Sequence, residues 1–191
     1  MSEERKKMIR AFGATIVDVG PGDFAGAVVK RDELVQELGA FNPNQFVNPD
    51  NVECHEKMTG EEIVRQAANQ HSDKTISGFV AGTGTGGTLM VVRRAVLSKY
   101  PNAKIVAVEP TESAVMSGGV PGSHQIQGIG DGFIPDIVDM NLVDHVVTVS
   151  TQEAINRTKR LASELGFLVG ISSGANVAAS EKFIAEHKPS G

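Results

Sequence analysis

Between an apolar run, Thr75 to Ala81, and an apolar helical pattern, Leu89 to Leu97, lies Gly82-Thr83-Gly84-Thr85-Gly86-Gly87-Thr88. Glycine tolerates positive φ and has no Cβ, so successive backbone N–H groups here can converge on one anion. A helix opening directly after them adds the positive end of its dipole. Thr85 and Thr88 bring hydroxyls that can donate to phosphate oxygens. No Lys follows the glycines, so a clamp on nucleotide β/γ-phosphates is not expected, and a phosphate monoester fits better. The same residues would also serve a tight strand–helix turn in which the glycines matter for packing alone. On either reading a strand end and a helix start sit side by side, which points to an α/β class.

The alternation extends along the chain. Ser2 reads as the N-cap of a first helix that carries Met8, Ile9 and Phe12 and stops at Gly13. A short strand is expected at Thr15–Val19, a break at Gly20-Pro21-Gly22-Asp23, and a second helix from about Phe24 to Leu38. Residues 40–52 are rich in Asn and Pro and follow no period, so the chain is divided there into a small lobe, 1–40, and a larger one, 41–191. Thr59-Gly60-Glu61-Glu62 has the spacing of a capping box and is expected to open a helix through Ile63, Val64, Ala67 and Ala68. Lys104–Val108, Val146–Val149 and the short Phe167–Gly170 read as strands. Ser150-Thr151-Gln152-Glu153 is a second capping box, its helix ending at Gly166, and a last helix runs from about Ala175 to His187. Short apolar strands separated by helices imply an open, twisted, mostly parallel sheet covered by helices on both faces. Ligands of such sheets sit at the carboxyl ends of the strands.

Composition narrows the partners. Lys and Arg number 18 and Asp and Glu 23, giving a formal charge of −5, which offers no broad electrostatic attraction for nucleic acid or an anionic membrane. No apolar run is long enough to span a bilayer. The opening MSEERKKMIR is charged from its third residue and has no apolar h-region, so it does not read as a secretory signal, and a cytoplasmic setting is expected. The single cysteine, Cys54, excludes an internal disulfide framework and reads as a structural or surface thiol beside His55. His71, His124, His145 and His187 lack H-x-x-H-type spacing, so no metal site is expected.

Two further segments have the look of ligand loops. Gly170-Ile171-Ser172-Ser173-Gly174-Ala175 lies at a strand end before a helix. Ser172 or Ser173 there is either an N-cap or a hydroxyl aimed at a cofactor heteroatom. Gln127-Gly128-Ile129-Gly130-Asp131-Gly132 alternates glycines as backbone close to a ligand does, and as a flexible loop also does.

Taken in order, strand–GTGTGGT–helix, VAVEPTES, PGSHQIQGIGDGFIP and GFLVGISSGA resemble the cysteine synthase (O-acetylserine sulfhydrylase) family, pyridoxal-phosphate enzymes of the tryptophan-synthase-β fold type, fold type II. The resemblance covers nearly the whole chain. It implies that Gly84, Thr85, Gly86, Gly87 and Thr88 hold the 5′-phosphate of pyridoxal 5′-phosphate, that Ser172 hydrogen-bonds the pyridine nitrogen, and that Gly128 and Gly130 lie beside the amino-acid substrate. A neutral hydroxyl at the ring nitrogen suits β-elimination and replacement better than transamination. The implied reaction converts O-acetyl-L-serine and sulfide to L-cysteine and acetate, in cysteine biosynthesis. Cystathionine β-synthase or another β-elimination/replacement enzyme of the fold type, and a non-catalytic binding module, are the alternatives. A homodimer and binding of serine acetyltransferase are implied partners.

The family's Schiff-base lysine, in an S-x-K-D-R-type motif, has no match here, and Lys30-Arg31-Asp32 is not read as one because it falls in a charged helix. The T-S-G-N-T-G substrate loop and the closing G-E-R-Y segment are not matched either. The chain is therefore expected to correspond to the middle and later part of the family's polypeptide, with no catalytic residue assigned and the last strand missing. Val91 and Asp131 stand where relatives usually have Gly and Ala, and Asp131 would disfavour an anionic substrate.

Overall fold

In the computed structural model, residues 3–20, 23–71 and 73–191 are described. They form two compact units, Met1–Pro43 and Asn44–Gly191.

The first unit holds α1 (Glu3–Ala11) and α2 (Phe24–Leu38). Glu3 and Glu4 sit in the first turn of α1, against the positive helix end. The Ser2 cap lies outside the described residues. Asp23 caps α2, its Oδ1 accepting from the Gly26 amide at 2.8 Å, and Gly39 ends it in the left-handed region. The strand expected at Thr15–Val19 does not form: residues 14–19 pair with no strand among the described residues. An extended segment without a neighbour gains no ladder hydrogen bonds. Lys6 Nζ, 3.1 Å from Asp18, ties it to α1, as does the Ala14 amide, which donates to the Ile9 carbonyl at 3.4 Å.

The second unit is built on a three-stranded parallel sheet, β1 (Gly78–Gly82), β2 (Lys104–Pro110) and β3 (His145–Val149), in that order. Phe79 lies in register with Ile105, and Val106 with His145. From Ile105 to Pro110 the middle strand is buried throughout, as a nearly unbroken apolar run predicts for a strand covered on both faces. On one face Ala81, Ile105 and Ala107 pack against Leu89 and Met90 of α5 (Gly87–Lys99). On the other, Val108 and Val149 pack against Ala175, Ala178 and Ala179 of α7 (Ile171–His187), whose small side chains let it approach closely, and against Ala154 of α6 (Thr151–Leu165).

Three local expectations need correction. The capping box at Thr59 is not formed, because the helical path already exists upstream. Asn48 caps α3 (Pro49–Cys54), a π-helical turn follows at His55–Gly60, and α4 (Glu61–Gln70) continues from it. Gly60 is itself right-handed helical, at φ −64°, and the Thr59 hydroxyl contacts His55 Nδ1 instead. Residues 167–170 form no strand and pair with no strand among the described residues, and Leu168 is 96% exposed. The last helix opens at Ile171 with Gly170 as its cap residue and no side-chain cap bond, so neither Ser172 nor Ser173 is the N-cap.

The second capping box is complete: the Glu153 amide donates to Ser150 Oγ at 3.3 Å, and the Ser150 amide donates to Glu153 Oε2 at 2.8 Å. Ser150→Ala is expected to destabilise the fold by about 1 kcal/mol. Calorimetry should read this as a fall in Tm of roughly 2–4 °C.

Candidate functional site

The carboxyl end of β1 runs straight into the glycine loop. The Gly82 amide donates to Asn176 Oδ1 of α7 at 2.8 Å, and the Thr83 amide donates to the Val108 carbonyl of β2 at 3.1 Å. The loop is thus fixed to both neighbours before it turns. Gly86 then takes φ +85°, a left-handed value, and a Cβ there would fall 2.1 Å from Val138 Cγ2. Only glycine meets both conditions. Helix α5 opens at Gly87 with no side-chain cap from Gly86, so its dipole faces the loop, and Thr85 Oγ1 of the loop accepts from its Gly87 amide at 3.3 Å.

A second glycine segment closes on the first. The Gly130 amide donates to the Thr83 carbonyl at 3.1 Å, and a Cβ on Gly84 would lie 2.5 Å from the Gly128 carbonyl oxygen. Gly84 to Thr88 and Gly128 to Gly130 therefore occupy one place in the fold. Ser172 stands in the first turn of α7, one turn ahead of Asn176, the residue that binds the Gly82 amide. Thr83 Oγ1 is buried with no hydrogen-bond partner among the described residues, an orphaned hydroxyl inside the loop.

The 124–132 segment is shaped by two side chains. His124 Nδ1 accepts from the Ile126 amide at 3.2 Å, so Nε2 carries the hydrogen and donates to the Gly130 carbonyl at 2.9 Å. Burial pushes the Asp131 carboxyl above the ordinary aspartate range, partly opposed by nearby His124. Glu109, at the end of β2, is 1% exposed. It accepts from the amides of Met116 at 2.7 Å and Ser117 at 2.9 Å and from the Ser117 hydroxyl.

Sequence reasoning missed Asn51, His55 and Asn176. Asn51 Nδ2 lies 3.1 Å from Thr85 Oγ1, and His55 Nε2 lies 3.4 Å from Thr88 Oγ1. The available signal was a polar stripe, Asn51, His55, Thr59, at helical spacing, legible once a helix is started at Pro49. Cys54 is exposed, with Sγ 3.8 Å from Met58 Sδ. Val91 is fully buried in α5. Two cavities, about 440 and 490 Å³, lie toward the amino ends of the strands, each bordered by Lys104. Neither borders the glycine loop. No helix among the described residues is long and apolar enough to cross a membrane.

The structure thus places a glycine loop and a helix start together at the carboxyl end of a parallel α/β sheet. Residues 1–190 match the model of the pyridoxal-phosphate dependent enzyme family, and the chain belongs to that family. It is 46% identical over 182 residues to a cysteine synthase of Staphylococcus aureus, covering 94% of this chain and 57% of the relative. A hydrogen sulfide-producing enzyme from Fusobacterium nucleatum superposes with a TM-score of 0.89 at 40% identity, over 98% of this chain and 56% of that one. The O-acetylserine dependent cystathionine β-synthase of Helicobacter pylori gives 0.87 at 34% identity, over 97% and 59%. The chain thus spans a little over half the length of the relatives it matches. Fold class and family agree with the expectations drawn from the residues.

Two outcomes follow from the geometry. Gly86→Ala must overcome both the left-handed backbone and the overlap with Val138, and is expected to cost about 2 kcal/mol or more by chemical denaturation. Because the Asp131 pKa is higher in the folded than in the unfolded chain, the folded state binds more protons, and stability falls as pH rises through the folded value. Asp131→Asn is therefore expected to raise Tm near neutral pH. That gain should disappear below the ordinary aspartate range, where the parent side chain is also neutral.

Proposed function

We propose that Gly84, Thr85, Gly86, Gly87 and Thr88 hold the phosphate of pyridoxal 5′-phosphate, and that the protein of which these residues are part makes L-cysteine and acetate from O-acetyl-L-serine and sulfide. The observation that carries this reading is the closure of Gly128–Gly130 onto the phosphate-type loop, with the Gly130 amide on the Thr83 carbonyl and Gly84 against the Gly128 carbonyl. It brings the region assigned to the substrate against the region assigned to the cofactor. The start of α5 supplies amides and a positive dipole to a dianion. The orphaned Thr83 hydroxyl adds an unspent donor.

When bound, the cofactor supplies the electron sink for chemistry at the substrate's α-carbon. The residues of this chain bind and orient it. Ser172 offers a neutral hydroxyl to the ring nitrogen, which favours replacement at the β-carbon over amino-group transfer. Gly128 and Gly130, lacking side chains, let the amino-acid portion approach backbone. Asp131, adjoining them, disfavours a substrate carrying extra negative charge. No lysine of this chain is assigned a catalytic role. Residues 1–40 are assigned to a small lobe and 41–191 to the cofactor-binding lobe. A second copy of the chain and the tail of serine acetyltransferase are the partners that accompany this function. The resemblance to the Helicobacter enzyme supports a second reading, in which the incoming thiol is an amino acid and the product cystathionine.

Equilibrium dialysis with pyridoxal phosphate and with pyridoxal tests the cofactor assignment. The phosphate ester is expected to bind about tenfold or more tightly than the alcohol, the scale of charge-assisted hydrogen bonds. Equal affinities would remove the phosphate from the loop. Cysteine formation by this chain alone, together with a lysine-dependent visible band, would overturn the statement that none of its lysines is catalytic.

A further inference from the structure

Two side chains on one helical stretch end on the glycine loop. Asn51 in α3 and His55 at the start of the π-helical turn stand i, i+4, on the same face. Each reaches a different loop threonine, Asn51 to Thr85 and His55 to Thr88.

Chemistry fixes the count of donors at Thr85. The Gln45 carbonyl can only accept, and it lies 2.9 Å from Asn51 Nδ2, so the amide nitrogen is on that side. The same NH₂ has a second hydrogen, and Thr85 Oγ1 is 3.1 Å away to receive it. The Gly87 amide also donates to Thr85 Oγ1, at 3.3 Å. A hydroxyl oxygen has two lone pairs and one hydrogen. With both lone pairs engaged, Thr85 has only its O–H left to offer. Asn51 comes this near because position 87 is glycine: a Cβ there would lie 2.5 Å from Asn51 Oδ1.

At Thr88 an imidazole plays the corresponding part. His55 Nδ1 lies 2.9 Å from Thr59 Oγ1, and Nε2 faces Thr88 Oγ1 at 3.4 Å. With the Thr59 hydroxyl donating to Nδ1, Nε2 carries the hydrogen and donates to Thr88. The Thr88 O–H is then released toward the loop. The other tautomer would take the Thr88 hydrogen and leave lone pairs toward a bound anion, which is repulsive.

We infer that Asn51 and His55 are positioning residues for an anionic phosphate ester, engaging the acceptor lone pairs of Thr85 and Thr88 so that both hydroxyls face the ligand as donors. The π-helical turn belongs to this device. Its Thr59 holds the ring that holds Thr88, and π-turns inside helices commonly accompany functional sites. This role rests on the assignment of the loop to a phosphate ester, and one set of titrations separates the two.

The 191-residue chain is titrated with inorganic phosphate and with pyridoxal phosphate, followed by ³¹P NMR, with melting temperature as the control on folding. Asn51→Asp keeps the shape of the side chain but presents a carboxylate that can only accept, so it draws the Thr85 hydrogen away from the ligand. His55→Phe removes the donor to Thr88, and His55→Gln retains an N–H. Affinity for both phosphate probes is expected to fall about tenfold or more in Asn51→Asp and His55→Phe, and to stay within about threefold of the parent in His55→Gln. Binding at parental strength by Asn51→Asp and His55→Phe would overturn the role and leave the loop assignment standing. No binding by the parent would overturn both. A loss in His55→Gln as large as in His55→Phe would show that the ring's packing matters rather than its donor, and would also overturn the role. If Asn51→Asp fails to fold, the His55 pair decides.

Discussion

Everything at the carboxyl end of the sheet depends on a short ladder of backbone contacts that joins β1, β2 and the 128–130 segment. The Thr83 amide is bound to the Val108 carbonyl, and the Thr83 carbonyl receives the Gly130 amide, so one residue links all three. Around that link the backbones come nearer than any side chain permits. The Gly84 Cβ position is taken by the Gly128 carbonyl, and that of Gly130 by the Pro110 ring, where an added Cβ would lie 2.5 Å from Pro110 Cδ. An anion cradle needs amides held still, because an amide that must reorganise to bind spends binding energy in doing so. Here rigidity comes from the sheet rather than from the ligand.

The fold was legible where one local rule decided the outcome. The run Ile105–Val108 is apolar without alternation, and it is buried as such runs are. Ser150 and Glu153 satisfy each other within one turn, so their spacing alone located a helix start. Thr59 and Glu62 have the same spacing and form no cap, since a helix already begun at Pro49 passes through them. A capping signal identifies side chains able to cap, and upstream chain decides whether the amides are free to be capped. Residues 15–19 and 167–170 failed for another reason. Their patterns fit strands, but strand formation needs a neighbour to supply the other half of the ladder, and none exists among the described residues.

The glycine loops of the candidate site were legible in the same partial way. Glycine clusters mark where backbone must approach something, which is why both loops could be picked out from residues alone. What they approach depends on chain far away in sequence. Asn51 and His55 lie more than thirty positions from the threonines they touch. Asn176 is separated from the Gly82 amide by 94 positions. Pairings of that range are set by the sheet and its helices, and no window-based pattern contains them.

Glu109 shows how the same end of the sheet is kept from loosening. A carboxylate buried to 1% exposure would be costly if unpaired, but two amides and a hydroxyl from Met116 and Ser117 converge on it. The chain from Pro110 to Ser117 is therefore folded back on the strand it has just left. The Gly119 amide extends the turn by donating to the Ala114 carbonyl at 2.8 Å. Ser113, fully buried within it, sends its hydroxyl to the Gly130 carbonyl at 3.4 Å, the oxygen that also receives His124. Charge burial at β2 and backbone closure over the glycine loop are thus parts of one hydrogen-bonded unit. Opening the 128–130 segment would break bonds to Thr83, His124 and Ser113 together.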